Sequence, residues 1–181
     1  MTAHSRNGFW GVFVRSIDRL STLAGFVASG MIVLAVAITC QMIWVRFVLS
    51  QSTVWQTEMV IYLMVAATLI GLPYVQKLRG HVNVDLIPIM LSPGARKMLA
   101  WGVCLLVLVV AGIMTFYGFE FWHIAWKRGW KSDTVWGVRL WIPYLAMPVG
   151  FGLLGLQYLA DLAALATGAD KPFGLDEKAE L

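Results

Sequence analysis

Four stretches of this chain carry no Asp, Glu, Lys or Arg: residues 20–45, 59–76, 98–119 and 140–160. Each is near or above the roughly 18 to 20 apolar residues that let a helix cross about 30 Å of hydrocarbon. With 59% hydrophobic and 13% charged residues over 181 positions, the chain has too little polar surface for a water-soluble globule of that size. The expected fold is an all-α membrane protein, a single membrane domain over residues 1–181, with transmembrane helices at 20–45, 54–76, 98–119 and 140–160.

The second run is the shortest, and its start signal extends it. Thr53 and Gln56 stand at capping-box spacing, which begins the helix near Val54. Glu58 then falls near the helix N-terminus, where the macrodipole favours a carboxylate and the membrane edge keeps it hydrated. Pro73 is expected to kink the far end.

Ahead of the first span, Trp10, Phe13, Val14 and Ile17 recur at helical spacing, while Arg6, Arg15, Asp18 and Arg19 take the other faces. The pattern predicts an amphipathic interfacial helix over 8–19, the alternative being a frayed tail with aromatic anchors. The first apolar run exceeds the roughly 7 to 15 residues of a signal-peptide core, so this helix is expected to stay in the mature chain. Residues 167–181, polar and holding Gly168, Pro172 and Gly174, read as a flexible cytoplasmic tail. Cys40 and Cys104 lie within apolar runs, where a packing role is expected and no disulfide framework is implied.

The cations set the expected orientation. With both termini inside, Arg6, Arg15, Arg19, Lys77, Arg79, Arg96, Lys97, Lys171 and Lys178 lie on the cytoplasmic side, nine of the fourteen Lys and Arg residues. Arg46, Lys127, Arg128, Lys131 and Arg139 lie opposite. The excess favours a multi-pass membrane protein with both termini in the cytoplasm. Trp44, Trp55, Trp122, Trp126, Trp130, Trp136 and Trp141 then gather toward the outer face, as anchors at the headgroup boundary. Trp122, Trp126 and Trp130 share one face if the third helix continues past Glu120. That face, beside Lys127, Arg128 and Lys131, suits either anchoring or docking of an outer partner.

Residues 78–88, LRGHVNVDLIP, break the apolar pattern. His81 and Asp85 have the spacing of two metal ligands on a helix, but two ligands fall short of a site and no further His or Cys cluster is nearby. Haem ligation needs axial ligands within the bundle, and His4, His81 and His123 fall in a tail, a loop and at a helix end. No nucleophile elbow or phosphate-binding glycine loop is present. No cofactor, metal, catalytic residue or nucleic-acid partner is therefore expected. What remains is a cytoplasmic connection. Gly80 ends the second helix, Asp85 caps a short amphipathic segment with Leu86, Ile87, Met90 and Leu91, and Ser92 with Pro93 starts the third helix.

A family resemblance is carried by these residues. The run Trp55, Glu58, Gly71, Arg79, His81, Val82, Val84 and Asp85, with Pro148 and Gly150 in the last helix, resembles the small membrane subunit of tripartite ATP-independent periplasmic (TRAP) transporters, the DctQ-like family. The resemblance covers roughly residues 15–165. One departure is the second helix, where Ala66, Ala67, Gly71 and Pro73 stand where bulkier aromatic packing is expected. The resemblance implies a non-enzymatic subunit that scaffolds a large elevator-type membrane subunit for sodium-coupled uptake of an organic acid. A periplasmic solute-binding protein delivers the solute in such systems. It further implies that Trp55, Glu58, Gly71, Arg79, His81, Asp85, Pro148 and Gly150 serve structure or the partner interface. Trp126, Lys127, Arg128 and Lys131 are candidate contacts for the binding protein.

Helix association in lipid depends on close packing and interhelical hydrogen bonds, which singles out Gly25 with Ser29, and Gly112, Gly118, Gly152 and Gly155; Thr39 and Gln41 are the main polar side chains of the first span. Two other classes compete with this one. A free-standing transporter or channel needs a polar pore or inverted repeat, and a membrane enzyme or an accessory or anchor subunit of an electron-transfer complex needs a catalytic group or ligand set; neither pattern is visible.

Overall fold

The computed structural model of the chain describes residues 9–78 and 92–166. The described residues form helices α1 (Phe9–Val48), α2 (Val54–Lys77), α3 (Pro93–Arg128), the single turn α4 (Trp141–Tyr144) and α5 (Ala146–Ala166). Four apolar stretches are long enough to cross a bilayer, namely Gly11–Val48, Val54–Lys77, Lys97–Arg128 and Trp141–Ala166.

α1 is one rod of 40 residues, about 60 Å at 1.5 Å per residue. The separate helix expected over 8–19 is thus not set apart by a break: from Phe9 onward it is continuous with the first span. Its apolar positions turn inward, with Ile17 7% exposed and Phe13 and Val14 half-buried. No Gly or Pro lies between residues 12 and 24 to interrupt the helix. A rod twice the hydrocarbon thickness must tilt or project beyond the membrane.

α2 begins at Val54, as expected, but not by a capping box. Thr53 makes no side-chain cap bond. Gln56 is 2% exposed and its amide donates to Gln41 Oε1 of α1 at 3.3 Å. The side chain expected to reach back to the helix start instead joins two spans, because an amide in lipid gains more from a buried partner than from a terminus that water can serve. Gln41 thus finds an interhelical bond, while Thr39 bonds the Ala35 carbonyl at 2.8 Å.

α3 starts at Pro93 after Ser92, and runs past Glu120 to Arg128. It ends where Gly129 takes a left-handed conformation, φ 61°, with the Gly129 N–H donating to Trp126 O at 3.2 Å and the Trp130 N–H to Ala125 O at 3.1 Å. Glycine is favoured at that position because it lacks the Cβ that such a backbone crowds. The last apolar run is broken into α4 and α5 at Leu145. Pro148 explains the break: it has no N–H to give Tyr144 O, so the helix cannot run through undisturbed.

α1 runs antiparallel to α2, with Ala28 against Gly71 and Gln41 against Gln56; α2 runs parallel to α5, with Leu69 against Gly150 and Gln76 against Asp161, so α1 is antiparallel to α5; and α3 runs antiparallel to α5, with Gly118 against Met147 and Ala111 against Gly155. α1, α2 and α5 form the core of the bundle, with α3 attached chiefly through α5. The buried positions are mostly alanines, among them Ala24, Ala28, Ala35, Ala67, Ala111 and Ala160, while large side chains such as Phe26, Val33 and Leu106 face outward. This inversion suits a lipid solvent, where close backbone approach holds helices together. Cys104 joins Leu154 and Tyr158 in an apolar core, and Cys40 is exposed on α1.

Candidate functional site

At the end of the bundle where α2 begins, residues 130–140 fold back as a hairpin. Lys131 bridges Arg139, Ser132 N–H donates to Val138 O at 2.9 Å, and Leu140 N–H donates to Trp130 O at 3.0 Å. The hairpin is fastened to α2 by Ser132, whose hydroxyl donates to Glu58 Oε1 at 2.5 Å. Trp136 meets Trp55 with ring centroids 6.4 Å apart. The hairpin covers Glu58 more than a position at the membrane edge suggested, since its second oxygen, Oε2, is buried with no hydrogen-bond partner among the described residues. Two of the family-pattern residues, Trp55 and Glu58, therefore act together as an anchor for the hairpin.

The aromatic stripe forms only in part. Trp122 and Trp126 touch at 5.3 Å, and Trp126 packs on Trp141 at 4.8 Å. Trp130 leaves the stripe, because the chain turns at Gly129, and packs on Phe121 at 5.8 Å. Lys127, Arg128 and Lys131 are exposed beside this cluster.

At the opposite end a polar joint ties three helices. Ser21 of α1 donates to Gln157 Oε1 of α5 at 2.6 Å. The Gln157 amide donates to Asp161 Oδ1 at 3.1 Å and, more weakly, to Asp18 Oδ1 at 3.4 Å. Gln76 of α2 donates to Asp161 Oδ2 at 3.0 Å. Lys77 reaches α1, donating to Thr22 Oγ1 at 2.7 Å and Asp18 O at 3.0 Å. Ser21 and Gln157 are 2% and 1% exposed. Sequence reasoning missed this joint, treating Lys77 as a topology charge and Asp161 as the end of a run. A signal did exist: Asp18 with Ser21 and Thr22, Gln76 with Lys77, and Gln157 with Asp161 all fall at the same end of three antiparallel or parallel spans.

Between these two joints the backbones come close. Pro73 lies inside α2 and has no N–H to give the carbonyl of Leu69. That carbonyl faces Gly150 of α5, where a Cβ would come within 2.5 Å of the oxygen. Glycine leaves only a hydrogen there, suited to a weak C–H···O contact. Gly71 lies opposite Ala28 of α1, a Cβ there being 3.4 Å from the Ala28 methyl, and Gly25 lies under the Tyr74 ring. Of the small residues of α2 that departed from the expected bulky pattern, Gly71 is where α1 comes close, while the approach of α5 is permitted by its own Gly150. Of the other glycines, Gly118 is tight against Met147, Gly152 and Gly155 are in ordinary contact, and Gly112 has no neighbour at that distance. Arg79, His81 and Asp85, with the short amphipathic segment, lie outside the described residues, as does the tail 167–181. Among the described residues no three His, Cys, Asp or Glu side chains gather into a group able to hold a metal.

The result is a four-span helical membrane protein in which α2 is fastened to the hairpin at one end and α1, α2 and α5 are tied together at the other. The chain belongs to the DctQ component family of the tripartite ATP-independent periplasmic transporters, whose family model matches residues 35–168. A Pseudomonas aeruginosa protein named C4-dicarboxylate TRAP transporter small permease protein DctQ is 23% identical over 133 residues, covering 72% of this chain and 63% of that protein. The chain thus spans less than two thirds of that relative's length. No solved structure matches it.

Proposed function

We propose that the chain is the non-catalytic small subunit of a TRAP-type secondary transporter, a fixed platform for a large elevator-type membrane subunit. Uptake would be coupled to sodium and directed to an organic acid, of which a C4-dicarboxylate is the example in the relative's name. The solute would be handed over by a periplasmic binding protein. The protein would reside in the bacterial inner membrane with both termini in the cytoplasm, which makes the hairpin end periplasmic. The observation that carries this reading, beside family membership, is the two-ended fastening of the bundle: Glu58 with Ser132 at one end and Gln157 with Ser21 and Asp161 at the other. A subunit that must brace a moving neighbour gains from such cross-links, because each must break before the spans can shift. No enzymatic role is needed.

Two surface roles belong to this reading. Arg79, His81 and Asp85 order the cytoplasmic connection or its contact with the large subunit. Lys127, Arg128 and Lys131, beside Trp126, meet the binding protein, where charge complementarity accelerates docking more than it deepens affinity. Affinity purification of the tagged chain from its native membrane should bring down one large polytopic protein. Replacing Arg79 and Asp85 together should lower that yield and uptake in step. Neutralising the three cations should slow uptake about tenfold or less, and only when the binding protein is limiting. Recovery of the chain alone, or with a pigmented redox partner, would count against the assignment.

A further inference from the structure

α3 is held to the bundle through α5 and α4, which leaves most of its circumference open. On its open side Phe116 and Tyr117 are 69% and 63% exposed. Along its seam with α5 runs a groove of about 400 Å³, lined by Met114, Tyr117, Phe121 and Ile124 of α3 and Met147 of α5, with Glu120 in its wall. Glu120 is exposed and makes no hydrogen bond or ion pair with any described residue. It sits eight residues before the helix end at Arg128, about 12 Å along the axis. Trp122 and Trp126, rings of the kind that settle at headgroup level, lie between it and that end. Glu120 therefore stands on the hydrocarbon side of the aromatic belt.

A groove of this kind needs an apolar filling, and its carboxylate needs a donor. An acyl chain supplies the first and not the second. The exposed face of α1 offers a contrast, since Phe26 and Val33 are equally open but no charge occurs between residues 20 and 45, so lipid tails satisfy it. Charged groups at membrane depth persist where a partner group meets them.

We infer that the α3–α5 groove receives a transmembrane helix of the large subunit, and that this helix brings a cation or hydrogen-bond donor to Glu120. The inference rests on the transporter assignment above and names the face that serves it. A photo-crosslinking amino acid at Tyr117, compared with the same group at Val33, tests it in the complex within native membranes. Irradiation should join the chain to the large subunit from Tyr117 and not from Val33. Glu120→Leu should lower recovery of the large subunit in mild detergent about tenfold, equivalent to about 1.4 kcal/mol. The melting temperature of the variant chain on its own should stay unchanged, since Glu120 bonds nothing within it. Adducts from Val33 alone, an adduct of two copies of this chain, only lipid adducts at Tyr117, or wild-type recovery with Glu120→Leu would each overturn the inference while leaving the assignment intact. If the unaltered chain brings down no large membrane protein, the assignment itself fails and the groove reading falls with it.

Discussion

Gly150→Val is expected to destabilise the bundle more than any other glycine substitution in its spans. The obstacle is backbone: a Cβ at 150 would stand 2.5 Å from Leu69 O and 2.7 Å from Leu69 C, atoms that cannot rotate aside. α5 must then move away from α2, and with it go the Gln157 and Asp161 bonds that depend on the same spacing. Overpacking of a close-packed site costs about 1–3 kcal/mol, and two branched methyl groups against a main chain fall at the upper end or beyond. Gly25→Ala meets Cγ and Cβ of Tyr74 instead, atoms at the root of that side chain, so it too is costly, but it adds one methyl group where Gly150→Val adds a branched side chain against a main chain. Gly152→Ala meets only a methyl at 3.8 Å and should be neutral or stabilising by up to about 1 kcal/mol, the helix-propensity difference between the two residues. Thermal unfolding of the purified chain in detergent gives the order directly: Gly152→Ala at or above the unaltered protein, then Gly25→Ala, then Gly150→Val lowest. Equal melting temperatures for Gly150→Val and Gly152→Ala would remove the close approach from the account.

Gln157→Glu is expected to be damaging on the same scale. The side chain is buried, and it both accepts from Ser21 and donates to Asp161 and Asp18. A carboxylate there keeps the bond from Ser21, loses both donated bonds, and brings a third, buried acid beside two half-buried ones. Unsatisfied buried groups cost about 1–3 kcal/mol each, and like charges add to that. Gln157→Leu removes the bonds without adding charge and should cost less, about 2–4 kcal/mol by the same accounting of lost partners. Adding Ser21→Ala to Gln157→Leu should cost little more, since the two side chains share one bond and their effects are not additive. Melting temperatures for the four proteins decide it. A Gln157→Glu variant as stable as the parent, or fully additive losses in the double variant, would show that the joint does not hold the helices.

Much of the architecture was legible because the bilayer imposes it. The charge-free runs marked all four spans, Ser92 with Pro93 marked where α3 starts, and the capping-box spacing at Thr53 led to the right start for α2. The reason given for that start was wrong, since Gln56 reaches Gln41 across the bundle. Local spacing cannot reveal which neighbour a buried amide will find. The same limit hid the joint around Gln157, whose partners lie 136 and 139 positions away in the chain. The continuity of α1 was missed for a different reason: the change from amphipathic to uniformly apolar residues near Arg19 alters the surroundings of a helix without breaking it. Glu58 and Gly150 were singled out by family pattern, and the structure supplies physical reasons for both, a hairpin anchor and a backbone approach. Ser132, the other half of that anchor, carried no mark in the sequence, since a lone serine in a polar loop has many uses.

The most direct test of the central claim, that this bundle is a rigid support whose neighbours carry the solute, is uptake into vesicles reconstituted with defined components. Purified chain is inserted alone, with the large subunit, or with the large subunit and the binding protein, and accumulation of a labelled C4-dicarboxylate is followed under an inward sodium gradient. No accumulation should occur with the chain alone, and rapid uptake should require all three components. Solute concentrated by vesicles holding this chain alone would contradict the account.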